Sequence, residues 1–461
     1  MLNRRQFVAS SAAAAFAAPA LGKRNGERPN ILFIMADDLG YADVGCFGRD
    51  DIATPNIDAL AASGIKFTHG YSNSSVCSPT RVGLITGRYQ YRLPVSFEEP
   101  MSTTSTAGLE PGHPTLPSLL KKAGYQTALV GKWHLGTPFK FSPLKHGYNR
   151  FWGIRGGGVD YFSHRFQFQA GSTEIDVHDL WDGDVETHAV GYLTNLIGEH
   201  AAGEIQRMAA SPAPFFLSLH FTAPHWPWES EADQEVAKRL RSSLHFDGGS
   251  MATYRAMVET LDRNIGRVLA TLEASGRASN TIVVFTSDNG GERFSKTWPF
   301  NGMKGELLEG GIRVPLIVRW PGHVAAGSTS EQVAISMDWL PTLVAAAGSQ
   351  PDSDYPSDGM NLIPALTGGA AQPRTLFWRH KAHEQQAMRQ GQWKYLKIGG
   401  NEFLFDVVAD PQERGNLKNL EPERFTAMKA AWAQWNAMML PYPENSVSWS
   451  NKAMGTLPDR Y

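Results

Sequence analysis

Four continuous apolar runs, each closing on a cluster of polar residues, punctuate the chain up to residue 290. Residues 31–36 (ILFIMA) run into Asp37-Asp38, and 127–130 (TALV) into Gly131-Lys132-Trp133-His134. Residues 215–220 (FFLSLH) lead to Thr222-Ala223-Pro224-His225, and 281–286 (TIVVFT) to Ser287-Asp288-Asn289-Gly290. Runs that are apolar throughout, rather than alternating, suit strands buried on both faces of a parallel sheet. Helical spacing fills the intervals at 56–63, 116–123 and 253–274; Gly64 and Gly124 suit the C′ positions of the first two, and the third ends near Gly276. Strand and helix in alternation predict an α/β domain whose large, mostly parallel or mixed sheet is sandwiched by helices. In such sheets ligands collect beyond the carboxyl ends of the strands, so the four polar clusters are expected to share one site. Taken singly, an Asp pair can cap a helix and Asn-Gly can make a turn; four coincidences are a poor account of the pattern.

After about residue 370 the texture changes. Residues 392–398 and 402–406 alternate polar with apolar around Gly399-Gly400, and 421–439 has helical spacing. This predicts a smaller α+β subdomain with an antiparallel sheet. The expected division is 1–20 as a targeting segment, 21–370 as the catalytic α/β domain and 371–461 as the C-terminal subdomain. The targeting segment rests on Arg4-Arg5 before Gln6-Phe7, an alanine-rich run from Val8 to Ala18, and the small-x-small pattern Ala18-Pro19-Ala20. The arginine pair suits a twin-arginine export signal, and the run is too short for a stable membrane anchor. A periplasmic or extracellular protein is expected. The formal net charge of −2 over 461 residues gives no global attraction to nucleic acid or to acidic membranes, so an anion site has to be built locally. Of the two cysteines, Cys46 reads as a small buried residue and Cys77 lies inside a motif.

That motif is Cys77-Ser78-Pro79-Thr80-Arg81, followed by Thr86-Gly87-Arg88. Ser78 suits an N-cap and Pro79 the first helical position, which puts residue 77 at a helix N-terminus where N–H groups and the dipole favour an anion. Arg81, one turn in, is within reach of side chain 77. Asp37, Asp38, Asp288 and Asn289 offer only oxygen donors, the chemistry of calcium or magnesium rather than zinc. Arg81, Lys132 and Lys304 are cations that could hold a sulfate, and His134 and His225 could carry protons near neutral pH.

The C-x-P-x-R then T-G-R pattern resembles the signature of the type I sulfatases, members of the alkaline-phosphatase superfamily. The resemblance extends to Pro29–Gly40, Gly131–Gly136, Ser287–Gly290, Lys304–Pro315 and the C-terminal Asp410-Pro411, Glu413 and Asn416-Leu417. It implies an alkaline-phosphatase-like fold and a cysteine oxidised to formylglycine at 77. It also implies one calcium ion held by Asp37, Asp38, Asp288, Asn289 and the modified residue 77. In the implied mechanism the formylglycine hydrate attacks sulfur, with Asp288 as base. Arg81, Lys132 and Lys304 offset charge, His225 with Lys304 protonates the departing alcohol, and His134 takes the proton that expels sulfate. A maturation enzyme and the twin-arginine export machinery are the implied partners.

Specificity is expected from residues 89–112, 141–183 and 224–250, which are rich in aromatics. His164, Arg165 and Trp226 are the expected substrate contacts, and a sulfated carbohydrate is favoured, since sugars stack on rings and sulfates take charged hydrogen bonds. Two other readings stay open: a phosphomonoester or phosphonate hydrolase of the same superfamily, and a non-catalytic binder of sulfated glycans.

Overall fold

A computed structural model describes residues 28–449, save 171, 240, 241 and 243–247. The expected export signal at 1–20 lies outside the described residues, as does part of the 224–250 segment. Among the described residues no helix is long and apolar enough to cross a membrane.

The four apolar runs are the strands Asn30–Ala36, Gln126–Gly131, Phe215–His220 and Thr281–Ser287. They lie side by side in one ten-stranded sheet, in the order Thr281–Ser287, Asn30–Ala36, Phe215–His220, Gln126–Gly131. All three pairings among them are parallel, and Arg150–Gly153 extends the parallel set. Leu316–Arg319 at one side and Trp181–Asp182 at the other pair antiparallel with this core, and each pairs antiparallel in turn with Ile65–Phe67 or Val185–Glu186, so the sheet is mixed.

Burial on both faces explains why the strands read as unbroken apolar runs. Leu32 and Ile34 belong to one core, with Ile265 and Val268 of the helix Met251–Ala274. Ile31 and Phe33 belong to the other, with Leu119, Leu120 and Trp339. Each such side chain contributes about 1.5–3 kcal/mol relative to exposure, which overrides any local preference for helix.

The helices Pro55–Ala62, Leu116–Lys122 and Met251–Ala274 fall where expected, and Gly124 and Gly276 take positive φ after the last two. Gly64 does not. It is a glycine because a Cβ there would stand 2.4 Å from the Val318 carbonyl oxygen, so close approach of the helix end to the sheet is the reason. Cys46 is half-buried rather than buried.

The C-terminal part is a four-stranded antiparallel sheet in sequence order: Thr375–His380, Gln385–Gln390, Trp393–Ile398 and Asn401–Asp406. Helix Pro422–Ala437 packs on it through Trp432, whose Nε1 donates to the Trp378 carbonyl, and Trp435, whose ring stacks on Phe377 at 5.2 Å. A hairpin, Arg165–Ala170 with Thr173–His178, was not foreseen from the sequence.

Candidate active site

Register brings the polar clusters together. Ala36 pairs with Ser287, Met35 with His220, and His220 with Gly131, so four strands end level and their following residues form one row. The hydrogen bonding continues past the strands: Asp288 N donates to Ala36 O (3.3 Å) and Asp37 N to Ala223 O (3.2 Å).

The helix carrying Cys77 runs Cys77–Thr86 with all ten residues buried, and Cys77 is its first residue. The expectation that Ser78 caps it is corrected: Val76 holds the cap position in extended conformation, without a side-chain cap. Ser78 Oγ instead accepts from Met101 N at 2.7 Å. Pro79 is then third in the helix, still among the N–H positions that have no intrahelical acceptor, so its missing donor costs nothing. Lys304 arrives on a loop locked to this segment, with Gly305 N donating to Ser75 O at 2.9 Å.

The charges interlock. Arg81 donates from Nε (3.1 Å) and Nη2 (2.8 Å) to Asp288 Oδ2. Lys132 Nζ donates to Asp37 Oδ2 at 2.6 Å, and Lys304 Nζ to Asp38 Oδ2 at 2.7 Å. Asn289 Nδ2 donates to Asp38 Oδ1 at 2.7 Å. Burial and the neighbouring Asp288 raise the Asp37 carboxyl well above its ordinary range, in spite of Lys132. Burial would raise Asp288 as well, but Arg81 and Lys132 outweigh it and hold that carboxyl below the usual value. Burial pushes the Cys77 thiol up to about 11.

Both histidines are buried. His134 Nε2 donates to the Met101 carbonyl at 2.8 Å, which leaves Nδ1 as the free acceptor, and that atom has no partner among the described residues. His225 Nδ1 donates to Trp226 O at 2.5 Å, leaving Nε2 at 3.6 Å from Asp38 Oδ2. Burial and the nearby lysines hold both imidazoles well below their ordinary pKa: Lys132 for His134, Lys304 and Lys132 for His225.

The donor set fits a hard cation. One donor atom each from Asp37, Cys77 and Asp288 lies within 4.8 Å of the others, and the same holds for Asp37, Asp38 and His225. Asp37 Oδ1 and Asn289 Oδ1 are buried oxygens without a hydrogen-bond partner among the described residues. Such orphaned acceptors are costly in a native interior, and an oxygen-seeking dication satisfies them.

Of the three expected substrate contacts, only Trp226 is brought to this cluster. Its ring lies 5.7 Å from Lys304 Nζ, and its Nε1 donates to Glu292 Oε1 at 3.2 Å. His164 is buried and its Nε2 donates to Gly191 O at 3.2 Å, while Arg165 pairs with Asp176 at 2.5 Å on the exposed hairpin. Two residues at the site escaped the sequence reading. Glu292 pairs with Lys304 at 3.1 Å; its position just past Ser-Asp-Asn-Gly was the available signal. Trp449, whose ring lies 5.5 Å from Lys304 Nζ, had none, because only the tertiary return of the tail brings it there. That tail is pinned by buried Glu99, whose carbonyl accepts from Trp449 N (2.6 Å) and whose Oε2 accepts from Ser448 Oγ (3.0 Å).

Known proteins share this organisation. The family model "Sulfatase" matches residues 29–349, and "N-sulphoglucosamine sulphohydrolase, C-terminal" matches 303–434. N-acetylgalactosamine-6-sulfatase of Mus musculus is 33% identical over 388 residues, covering 79% of this chain and 71% of that protein. Steryl-sulfatase of Mus musculus is 31% identical, covering 90% and 83%. The crystal structure of Ps i-CgsB in complex with k-i-k-neocarrahexaose superposes with a TM-score of 0.81 at 30% identity, covering 93% of this chain and 96% of that one. A match across both the catalytic sheet and the C-terminal sheet, on a chain with a C-x-P-x-R helix facing paired carboxylates and three buried cations, means that this chain belongs to the sulfatase family and is a sulfuric ester hydrolase.

Proposed function

We propose that this sulfatase cleaves the sulfate ester of a carbohydrate, using an aldehyde made from Cys77 and calcium held by Asp37, Asp38, Asp288 and Asn289. The observation that carries the reading is the place of Cys77: first residue of a buried helix, with its sulfur within 4.8 Å of donor atoms of Asp37 and Asp288. Formylglycine at this position supplies, as its hydrate, an oxygen nucleophile that a thiol lacks. Calcium supplies Lewis-acid stabilisation of charge on the sulfuryl oxygens.

The chain's own residues divide the remaining work. Arg81, Lys132 and Lys304 bind and orient the sulfate, and their carboxylate partners keep them fixed before the substrate arrives. Asp288, kept ionised by Arg81, is the acceptor facing residue 77. His134 is neutral with its proton on Nε2, so Nδ1 takes a proton. His225 Nε2, beside Asp38 and Lys304, is the donor for the departing alcohol; an incoming sulfate anion raises its affinity for that proton. Trp226 and Trp449, both half-buried around Lys304, suit the faces of a sugar ring on the leaving-group side. The relatives' names, N-acetylgalactosamine-6-sulfatase among them, point the same way. His164 and Arg165 belong to the proposal only through the hairpin they carry. Oxidation of Cys77 calls for a maturation enzyme, and we place the protein outside the cytoplasm on the strength of residues 4–20.

The test is the mass of the tryptic peptide Phe67–Arg81, together with rates on matched sulfate and phosphate esters. An aldehyde in place of the thiol, with sulfate preferred, supports the reading. An unmodified thiol in active enzyme, or faster phosphate release, replaces it with the phosphate-ester alternative.

A further inference from the structure

A second group of side chains able to ligate a metal shares no residue with the active site. His178, Glu186 and His188 each offer one donor atom, all within 4.8 Å of one another. Two hairpins set this arrangement. His178 ends the strand Thr173–His178 and Glu186 ends Val185–Glu186, whose partner across the ladder is Trp181. Thr187 N donates to Leu180 O at 2.9 Å, which turns His188 back over His178. The two imidazole rings lie 4.3 Å apart at 35°, and His178 Nδ1 contacts Glu186 Oε1 at 2.9 Å.

A His178–Glu186 ion pair would account for two of these residues. It does not account for exposed His188, which has open solvent available yet lies against another imidazole. Two nitrogen donors and one carboxylate oxygen form a set for a zinc-like ion, not for calcium, and leave one coordination position for water. The cross-strand neighbour Arg165 does not oppose a cation here, because Asp176 neutralises it. Flanking Val185 and Val190 are 70% and 93% exposed, so an ion has an entry path.

We propose that His178, Glu186 and His188 bind one divalent transition-metal ion that braces this double hairpin. The brace has something to hold. Asp179, next to His178, accepts from Gly156 N (2.7 Å), Arg155 N (3.0 Å) and Trp181 Nε1 (2.7 Å). The Gly156–Gly157 loop so fixed backs onto His134, and a Cβ on Gly157 would stand 2.8 Å from that ring. The ion therefore stabilises the hairpin on which the active-site loop hangs, without touching the reacting groups.

The experiment uses calcium-saturated protein, so that the active-site carboxylates are occupied, and titrates zinc against a chromophoric chelator. The expected result is one zinc equivalent bound, with affinity at least ~10-fold weaker in His188→Ala and in Glu186→Gln. Zinc is also expected to raise the Tm of the native chain and not that of His188→Ala. His188 is exposed, so its variant folds, and its rate on 4-nitrophenyl sulfate without zinc is expected to match the native chain. An X-ray absorption spectrum of the zinc form should show nitrogen ligands at about 2.0–2.1 Å. Failure to retain zinc, or equal retention by His188→Ala, overturns the proposal and leaves the sulfatase reading untouched.

Discussion

His134 shows how one side chain is prepared by its surroundings. It stands at φ +58° directly after Gly131-Lys132-Trp133 at the strand's end, in a region that costs a residue with a Cβ roughly 1–3 kcal/mol. Its Nε2 is tied to Met101, and Gly157 covers the ring so closely that no side chain fits between them. Gly157→Ala should therefore displace the imidazole, lowering kcat much more than it raises KM on a small aryl sulfate; an unchanged kcat would remove His134 from the proton-transfer role. Arg81 makes a comparable case from charge. Its two-pronged contact with Asp288 needs a planar fork, so Arg81→Lys keeps the charge and loses the geometry. A loss of about 10²–10³ in kcat is expected for one such stabilising donor. At this scale the sequence was most legible, because Asp37, Asp38, Asp288, Lys132 and His134 all directly follow apolar runs and need no long loop to place them. Trp449 and Glu99 were not, since the approach of Trp449 to Lys304, and the hold of Glu99 on that tail, depend on the chain folding back over the whole molecule.

Elements convert that local information into a site. The four strands were readable because burial on both faces leaves only apolar residues, and their parallel register puts every polar end at one edge. Gly131 marks the tightest point of that edge. Its φ is +108°, and a Cβ would stand 1.8 Å from the His220 carbonyl oxygen. Gly131→Ala must therefore part the Phe215–His220 and Gln126–Gly131 strands at the point where they deliver His220 and Lys132. Loss of several kcal/mol in chemical denaturation is expected, and a loss below about 0.5 kcal/mol would contradict the register argument. The hairpin Arg165–His178 went unseen although its residues alternate, with Phe166 and Phe168 facing one way and Gln167 and Gln169 the other. Its polar face resembles an ordinary loop unless the partner strand is already known. The start of the Cys77 helix was misplaced by a residue or two for a related reason. Ser78 and Pro79 both favour helix starts, and neither propensity registers that Ser78 Oγ is engaged by Met101 from another segment.

Across the whole molecule, the C-terminal sheet is joined to the catalytic domain by buried charge. Lys394 Nζ lies 3.0 Å from Glu309 and 2.8 Å from Glu413, all fully buried, and Arg313 and Tyr71 also hold Glu309. Lys394→Met leaves buried Glu413 without its cation and Glu309 with Arg313 alone, so a destabilisation of about 3–5 kcal/mol is expected, with both parts unfolding in one transition. A second long-range coupling governs pH. Burial and the neighbouring Asp160, with Asp233 adding to them, push Glu229 up to about 9. The native state then holds a proton that the unfolded chain releases near 4.5. Its contribution is full below that value and is lost as pH rises towards 9, a decline that Glu229→Gln should flatten in thermal melts. None of this was legible in sequence, because the partners come from segments far apart in the chain. The fold class was legible in the apolar runs and the sulfatase family in the short motifs that follow them.

In the function proposed, Cys77 and its surrounding charges release sulfate from a carbohydrate ester with calcium bound. The most direct measurement is sulfate release by ion chromatography from a panel of sulfated oligosaccharides beside 4-nitrophenyl sulfate. It compares the native chain with Cys77→Ala, before and after exhaustive EGTA treatment and calcium readdition. Release from one glycan class is expected, with none from Cys77→Ala, loss on chelation and recovery with calcium alone. Release that survives in Cys77→Ala, or that survives chelation intact, would contradict that function.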